Sequence, residues 1–355
     1  MLLVLVISSF IMNVPQNINN TISDRSFMTY MGIGDCDVML GTSRTMTDNV
    51  KAKTEEMALA VSADADVSKY TVLTTHMFEM VTKDGPSERL RVELGDHSIF
   101  PIAYSKGRMP ESEKEIAIST LYSDELGKTI GDEITLLSDG AEKNLVVTGI
   151  YSDITNGGRT AKAVFDAGYH EVLWSSIPIL FKDGTPKEAK IAQYREVFLS
   201  AKVSDAEMNM QQMFGPTLSV VRTASIASAI AAVLLTLLVT LLFLKMLITK
   251  DRYPIAILKA VGFTNNDIKR QYIFRGAVVF VLGVIIGTIL SNTAGELVGI
   301  ALISSFGATT FDFVVNPMFS YVFSPLLIAL SVYAAALLST SDIRKIKISE
   351  HIKEA

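Results

Sequence analysis

Three predominantly apolar stretches in the second half of the chain run for 18 to 23 residues without a Lys, Arg, Asp or Glu: 224–244, 277–294 and 318–340. A bilayer core needs about 20 apolar residues in a helix, so each predicts a membrane span. The second extends through Ala301 if Glu296 lies near the interface. The first twelve residues, "MLLVLVISSFIM", are also apolar but meet Asn13 and Pro15. At about 1.5 Å per residue they reach roughly 18 Å, short of the ~30 Å core. They have neither the basic lead-in nor the small-residue cleavage site of a signal peptide. They read as the outer part of a first span whose beginning is missing, in a truncated product or in half of a longer membrane protein. The predicted plan is a partial first span (1–12), an outer domain with stalk (13–222), a second span (223–245) and a basic connector (246–275). A third span (276–301), an outer loop (302–317), a fourth span (318–340) and a basic tail (341–355) follow. The expected class is an α-helical membrane protein with four transmembrane helices, the first incomplete, plus a mixed α/β domain outside the cytoplasm.

The outer domain carries the second kind of pattern. "YTVLTTHMFEMV", "RLRVEL", "EKEIAIS", "DEITLLS" and "NLVVTGIYS" are rich in β-branched and apolar residues and suit strands. Asp139-Gly140 suits a hairpin turn. "DNVKAKTEEMALAVSA" and "PKEAKIAQYREVFLSAKV" place apolar residues at helical spacing.

Charge sets the orientation. The end of the second span and the connector hold Lys245, Lys250, Arg252, Lys259, Lys269, Arg270 and Arg275, and the tail holds Arg344, Lys345, Lys347 and Lys353. Loops rich in Lys and Arg stay in the cytoplasm. Residues 1–223 hold 30 Asp and Glu against 21 Lys and Arg and face outward. Over all 355 residues the net charge is −5, with 49% hydrophobic residues and a mean hydropathy of +0.35. That balance fits a multi-pass cell-membrane protein in contact with lipid, and argues against nucleic acid as a partner.

Candidate chemistry is sparse. Cys36 is the one cysteine, and His76, His97, His170 and His351 are scattered without metal-ligand spacing. "GKT" at Gly127 lacks the upstream glycine of a phosphate loop, and no nucleophile elbow or HExxH is present. The spans hold no charge pair of the proton-relay kind. The expectation is a protein that is not itself an enzyme, binds no cofactor or metal directly, and draws energy from elsewhere.

The connector "KDRYPIAILKAVGFTNNDIKRQY" (250–272) is the one unusual device. Pro254 suits the first turn of a helix. Ile255, Leu258 and Val261 predict an apolar stripe bordered by Ile257, with Lys259 pointing elsewhere. Gly262 predicts the stop, and Thr264 with Asp267 the cap of a helix continuing into the third span. Such a helix either lies on headgroups or docks on a partner protein. Gly283 and Gly287, and Gly295 and Gly299, form GxxxG pairs that permit close helix packing, within the chain or across a dimer.

The connector resembles the coupling region of FtsX-like permeases, the MacB-type (type VII) ABC transporters. The likeness rests on Arg252, Ile255, Ile257, Leu258, Lys259, Ala260, Val261, Gly262, Phe263, Thr264 and Ile268. It departs at Pro254, where the family has Glu, and at Ala256, where it has Gly. "GRMPESEKEIAIS…" is similar to the family's periplasmic core domain, with Gly107, Arg108, Pro110, Glu115, Leu126, Gly127, Gly131 and Asp132 in matching places. The tail resembles the family's basic end. The resemblance implies a permease subunit without catalytic residues. Its coupling helix, at Arg252, Pro254, Ile255, Ile257, Leu258, Lys259, Val261 and Gly262, would contact a separate cytoplasmic ABC ATPase. That partner would bind ATP-Mg, and a second permease half would complete a homodimer or heterodimer. Motion would pass outward for export, extraction or sensing of a peptide, lipid or lipoprotein. The alternative is a membrane-anchored regulator of FtsX type controlling a cell-wall hydrolase.

Overall fold

A computed structural model describes the chain except residues 83–84, 139, 169, 200, 304–311, 342 and 344–355. It divides into two compact units: Arg25–Gly215 with Ile300–Phe311, and the remaining segments around the spans.

The chain opens with α1 (Leu2–Ser23). The outer unit follows with β1 (Val38–Ser43), α2 (Val50–Ala63), β2 (Val67–Tyr70), β3 (Leu73–Thr82), β4 (Gly85–Leu94), β5 (Tyr104–Gly107) and β6 (Glu115–Ser119). Then come α3 (Thr120–Leu126), β7 (Glu133–Ser138), β8 (Ala141–Tyr151), β9 (Ala161–Ala163), β10 (Val172–Phe181), α4 (Lys187–Val197) and β11 (Lys202–Asp205). The strands form one mixed sheet in the order β11-β1-β10-β3-β4-β9-β6-β8-β5. Because β7 pairs with both β3 and β8, the strands β3, β4, β9, β6, β8 and β7 close on themselves as a small barrel. Closure removes the sheet edges that would otherwise seek partners. The barrel interior takes alternate residues, as the pleat requires: Leu90, Val92 and Leu94 from β4, Ile134 and Leu136 from β7, and Leu145 and Val147 from β8. Phe78 lies at its centre, edge-on to Phe165 with ring centroids 5.4 Å apart.

A second core forms where α2 and α4 cover β1 and β10, joining Val38, Leu40, Met57, Val61, Ile177, Ile179 and Tyr194. The Asn49 side chain caps α2 by accepting from the Ala52 amide at 3.0 Å. At the edge of this core the Asp37 carboxylate accepts from the Phe181 amide (2.8 Å), Lys187 Nζ (2.5 Å) and Arg25 Nη1 (2.6 Å).

The five strand segments expected from sequence all fall in strands. Ser138 pairs with Ala141 across the β7–β8 turn, where Gly140 has φ +79°; Asp139 lies outside the described residues. The helix expected over 186–203 ends at Val197, and its last residues instead begin β11, paired to β1. "GKT" follows α3, where Gly127 at φ +60° ends that helix.

The membrane unit comprises α1, α5 (Ala206–Lys250) from Pro216 onward, α6 (Arg252–Ala260), α7 (Asn265–Asn292), α8 (Ala294–Ile303) as far as Gly299, a π turn (Phe319–Phe323) and α9 (Ser324–Thr340). Four of its helices are long and apolar enough to cross a membrane: Leu2–Ser23, Gly215–Lys250, Asn265–Asn292 and Phe319–Thr340. On α5 every fourth residue, Ala232, Thr236, Thr240, Leu244 and Ile248, is buried, while Leu234, Leu238, Leu242 and Met246 are exposed. That one-stripe pattern is a helix with one face on the bundle and the rest on lipid.

The expected end of the first span at residue 12 is corrected. α1 continues through Asn13 and Pro15 to Ser23, about 33 Å at 1.5 Å per residue. Its polar residues form an internal seam. Ser9, Asn13 and Asn17 repeat every four residues and are fully buried. Asn17 Nδ2 donates to Asn292 Oδ1 at 2.8 Å, Asn13 Nδ2 donates to Ser9 Oγ at 3.3 Å, and the Val314 amide donates to Thr21 Oγ1 at 2.9 Å. Side chains that look like the end of a span are satisfied inside the protein, by α1 itself, by Asn292 of α7 and by the Val314 backbone, partners that lipid cannot provide. The expected third span 276–301 is also divided: α7 stops at Asn292, Thr293 leaves helical geometry at ψ −76°, and α8 begins at Ala294.

Candidate functional site

The connector folds as a short helix clamped between two long ones. α6 starts from Asp251, whose carbonyl accepts the Ile255 amide at 2.9 Å. Pro254 lies in its first turn, where the missing N–H has no intrahelical acceptor. At the other end the Gly262 amide donates to the Lys259 carbonyl (3.1 Å) and the Phe263 amide to the Leu258 carbonyl (3.0 Å). That pair is a Schellman stop, and it needs a left-handed residue, supplied by Gly262 at φ +104°. Thr264 then opens α7 with a capping box: its hydroxyl accepts from the Asp267 amide at 3.3 Å, and its own amide donates to Asp267 Oδ2 at 3.0 Å.

The inner side of this elbow is a small apolar core of Ile248, Ile255, Ile268, Tyr272 and Ile343, with Leu247 and Leu258 against it. Tyr272 Oη donates to Asp251 Oδ2 at 2.8 Å, so α7 holds the junction of α5 and α6. Lys259 Nζ donates to the Ile343 carbonyl at 2.7 Å and ties α6 to the segment after α9.

This packing corrects the stripe expected from sequence. Ile255 is 1% exposed and faces the elbow core, and Leu258 packs there too, so neither belongs to an outward face. The exposed apolar set is Tyr253 (50%), Ile257 (41%), Val261 (74%) and Phe263 (51%), flanked by exposed Arg252, Pro254 and Gly262. Tyr253, Ile257 and Val261 follow i, i+4, i+8 spacing, which brings them to one side of α6. Sequence reasoning missed Tyr253 and Phe263; the i, i+4 run beginning at Tyr253 was the available signal.

The four glycines lie on two helices. A Cβ on Gly283 would stand 2.6 Å from Leu5 Cβ, and one on Gly287 would stand 2.6 Å from Ser9 Cβ and 2.9 Å from the Val6 carbonyl oxygen. Both therefore face α1 of the same chain. Gly295 and Gly299 are buried on α8, where a Cβ at Gly295 would meet Val14 Cγ2 at 2.7 Å. Among the described residues no group of His, Cys, Asp and Glu is arranged to hold a metal. Cys36 is buried, and burial pushes its thiol up to about 12, the range of an unreactive thiol. His76 hydrogen-bonds the His170 carbonyl at 3.1 Å, and His351 with the basic tail lies outside the described residues.

Residues 226–348 match the family model for the FtsX-like permease C-terminal region. The outer domain is similar to the periplasmic region of MacB from Actinobacillus actinomycetemcomitans. That match covers 51% of this chain and 94% of that one, at 10% identity and a TM-score of 0.36. It is also similar to a permease-protein domain from Porphyromonas gingivalis (48% and 90% covered, 10% identity, TM-score 0.34). A third similar structure is the extracellular domain of the ABC-type transporter YknZ from Gram-positive bacteria (50% and 95% covered, 10% identity, TM-score 0.30). No curated protein matches the chain.

Proposed function

We propose that this chain, whose membrane region is that of an FtsX-like permease, is the transmembrane subunit of an ABC transporter driven through α6 by a separate ATPase. The single observation that carries the reading is the exposed row Tyr253, Ile257 and Val261 on a helix that ends in a Schellman stop and whose opposite side packs against α7. An exposed apolar row flanked by basic residues suits a groove on a cytoplasmic partner. The clamp supplies the mechanical part. A push on α6 meets the Schellman stop, the capping box, the elbow core and the Tyr272–Asp251 hydrogen bond before it can bend the connection. Force therefore passes into α5 and α7 as displacement of whole helices. ATP-Mg would be bound and hydrolysed by the partner, and a second permease half, identical or not, would complete the assembly. The material moved or sensed outside would be a peptide, lipid or lipoprotein.

The test compares Ile257→Asp and Val261→Asp with wild type in a pull-down of the ATPase expressed with this chain. Loss of the ATPase with unchanged folding of the permease is the expected result. Undiminished recovery sinks the docking role and leaves α6 as a helix resting on lipid headgroups.

A further inference from the structure

One face of the outer sheet packs against α2 and α4 and, further along, encloses the barrel core. The opposite face is bare where β1, β10, β3, β4 and β9 run side by side, and a cavity of about 310 Å³ sits on it. Strand register shows how the floor is built. Ser43, Trp174, Thr75, Glu93 and Lys162 stand directly opposite one another on five neighbouring strands, as one row. Lys202, Gly41, Ser176 and Leu73 form the adjacent row. Residues drawn from positions 41 to 202 thus share one floor. Phe100 and Ile102 close the cavity from the loop side with Asp153 and Thr155.

The charges at this floor are unevenly committed. Glu93 pairs with Lys162. Asp153 accepts from the Thr155 amide at 2.6 Å and the Thr160 hydroxyl at 2.5 Å. His97, also at the wall, directs Nε2 to the Ala163 and Glu93 carbonyls (3.2 and 3.3 Å). Burial and the Lys162 charge hold its pKa down to about 4, so it is neutral at pH 7. Arg91 and Lys202 also line the cavity, and among the described residues neither side chain has an ion-pair or hydrogen-bond partner. The free charge is positive, while Leu73, Phe100, Ile102, Trp174 and Pro178 supply an apolar wall. At Gly41 the floor carries no side chain, and a Cβ there would meet only backbone oxygens at 3.7 and 3.9 Å, so the strand leaves open space.

We infer that this cavity is a binding site for a small amphiphile with an apolar body and a carboxylate head, the head taken by Arg91 and the body lying along Trp174. About 310 Å³ is at the small end of ligand pockets, which suits a short acyl chain or the last residues of an apolar peptide. The inference is independent of the ATPase reading, because no nucleotide or partner enters it.

Trp174 is the chain's one tryptophan, so its fluorescence reports this cavity alone. The full chain in lipid nanodiscs is titrated with hexanoate, with hexylamine as the charge control. Acetyl-Leu-Leu as acid and as amide forms the second pair. A saturable change with an acid and none with the matching amine or amide is expected. Response to hexanoate alone identifies a free acyl carboxylate, and response to the peptide acid identifies a peptide terminus. Arg91→Gln weakens binding about tenfold, the scale of one lost charged hydrogen bond. Gly41→Leu, folded by circular dichroism, abolishes it by filling the space. No saturable change with either acid, an equal response to the amine, or full binding by Arg91→Gln overturns the inference.

Discussion

Replacing a helical glycine with alanine ordinarily stabilises, by about 1 kcal/mol, because glycine loses more backbone freedom on folding. Two glycines of α7 receive the same change with opposite outcomes. At Gly276 the new methyl meets only Met1 Cε at 3.9 Å, an ordinary contact, so Gly276→Ala keeps the propensity gain. At Gly287 it meets Ser9 Cβ at 2.6 Å and the Val6 carbonyl oxygen at 2.9 Å, both fixed to the α1 backbone. Non-bonded carbons sit near 3.5–4.0 Å, so α1 and α7 must part by about 1 Å. Overpacking of this kind costs about 1–3 kcal/mol. Parting also loosens the Ser9–Thr288 contact at 3.5 Å and the Asn17–Asn292 hydrogen bond at 2.8 Å, each about 0.6 kcal/mol in a membrane. Propensity cancels between the variants, so Gly287→Ala falls below Gly276→Ala by about 2–3 kcal/mol. Reversible unfolding in bicelles, followed by steric trapping, measures the gap. Equal stabilities within about 0.5 kcal/mol would refute an α1–α7 seam at backbone contact distance.

Burial opposes the Asp37 charge, yet Lys187, the Phe181 amide and Arg25 outweigh it and hold its pKa below the ordinary carboxylate value. Its contribution is therefore complete above about pH 4 and lost as pH falls below that, so acid-unfolding curves of Asp37→Asn are flatter in this range. A missing flattening argues against the cluster. His97, with a pKa of about 4 in the fold and about 6.5 unfolded, lets the unfolded chain bind the proton first. Stability then declines as pH drops from 6.5 toward 4, and the His97 ring resonances stay those of neutral imidazole until pH nears 4; a midpoint near 6.5 by NMR contradicts its burial. Tyr272→Phe removes the hydrogen bond to Asp251 and lowers stability by about 1 kcal/mol. Under the proposed coupling it reduces transport-coupled ATPase activity more than ATPase recovery, and an equal loss of both argues against a role for elbow stiffness.

Span locations, outer strands, the Gly262 stop and the Thr264 cap were all legible in the chain. Each depends on residues a few positions apart: an uncharged run, an alternation, a glycine after a helix, a Thr with an acid three residues on. The outward face of α6 was not legible. Ile255 and Leu258 looked equivalent to Ile257 and Val261 until Ile248, Ile268, Tyr272 and Ile343, up to 88 residues away in the chain, claimed one side. The length of α1 was hidden for a similar reason. Asn13 and Pro15 read as the end of a span because a lone helix would expose polar groups to lipid, and only the folded bundle gives the following Asn17 its partners, Asn292 and Ser320.

Hydropathy and local chemistry therefore determined that this is a multi-pass membrane protein with an α/β outer domain and a basic elbow. Tertiary structure alone decided which elbow residues face out, which glycines touch α1, and that Arg91, Trp174 and Gly41 share a cavity. Helix and strand formation are decided over one or two turns of chain. Exposure is decided by whichever distant segment arrives to cover a side chain, and no local pattern carries that information.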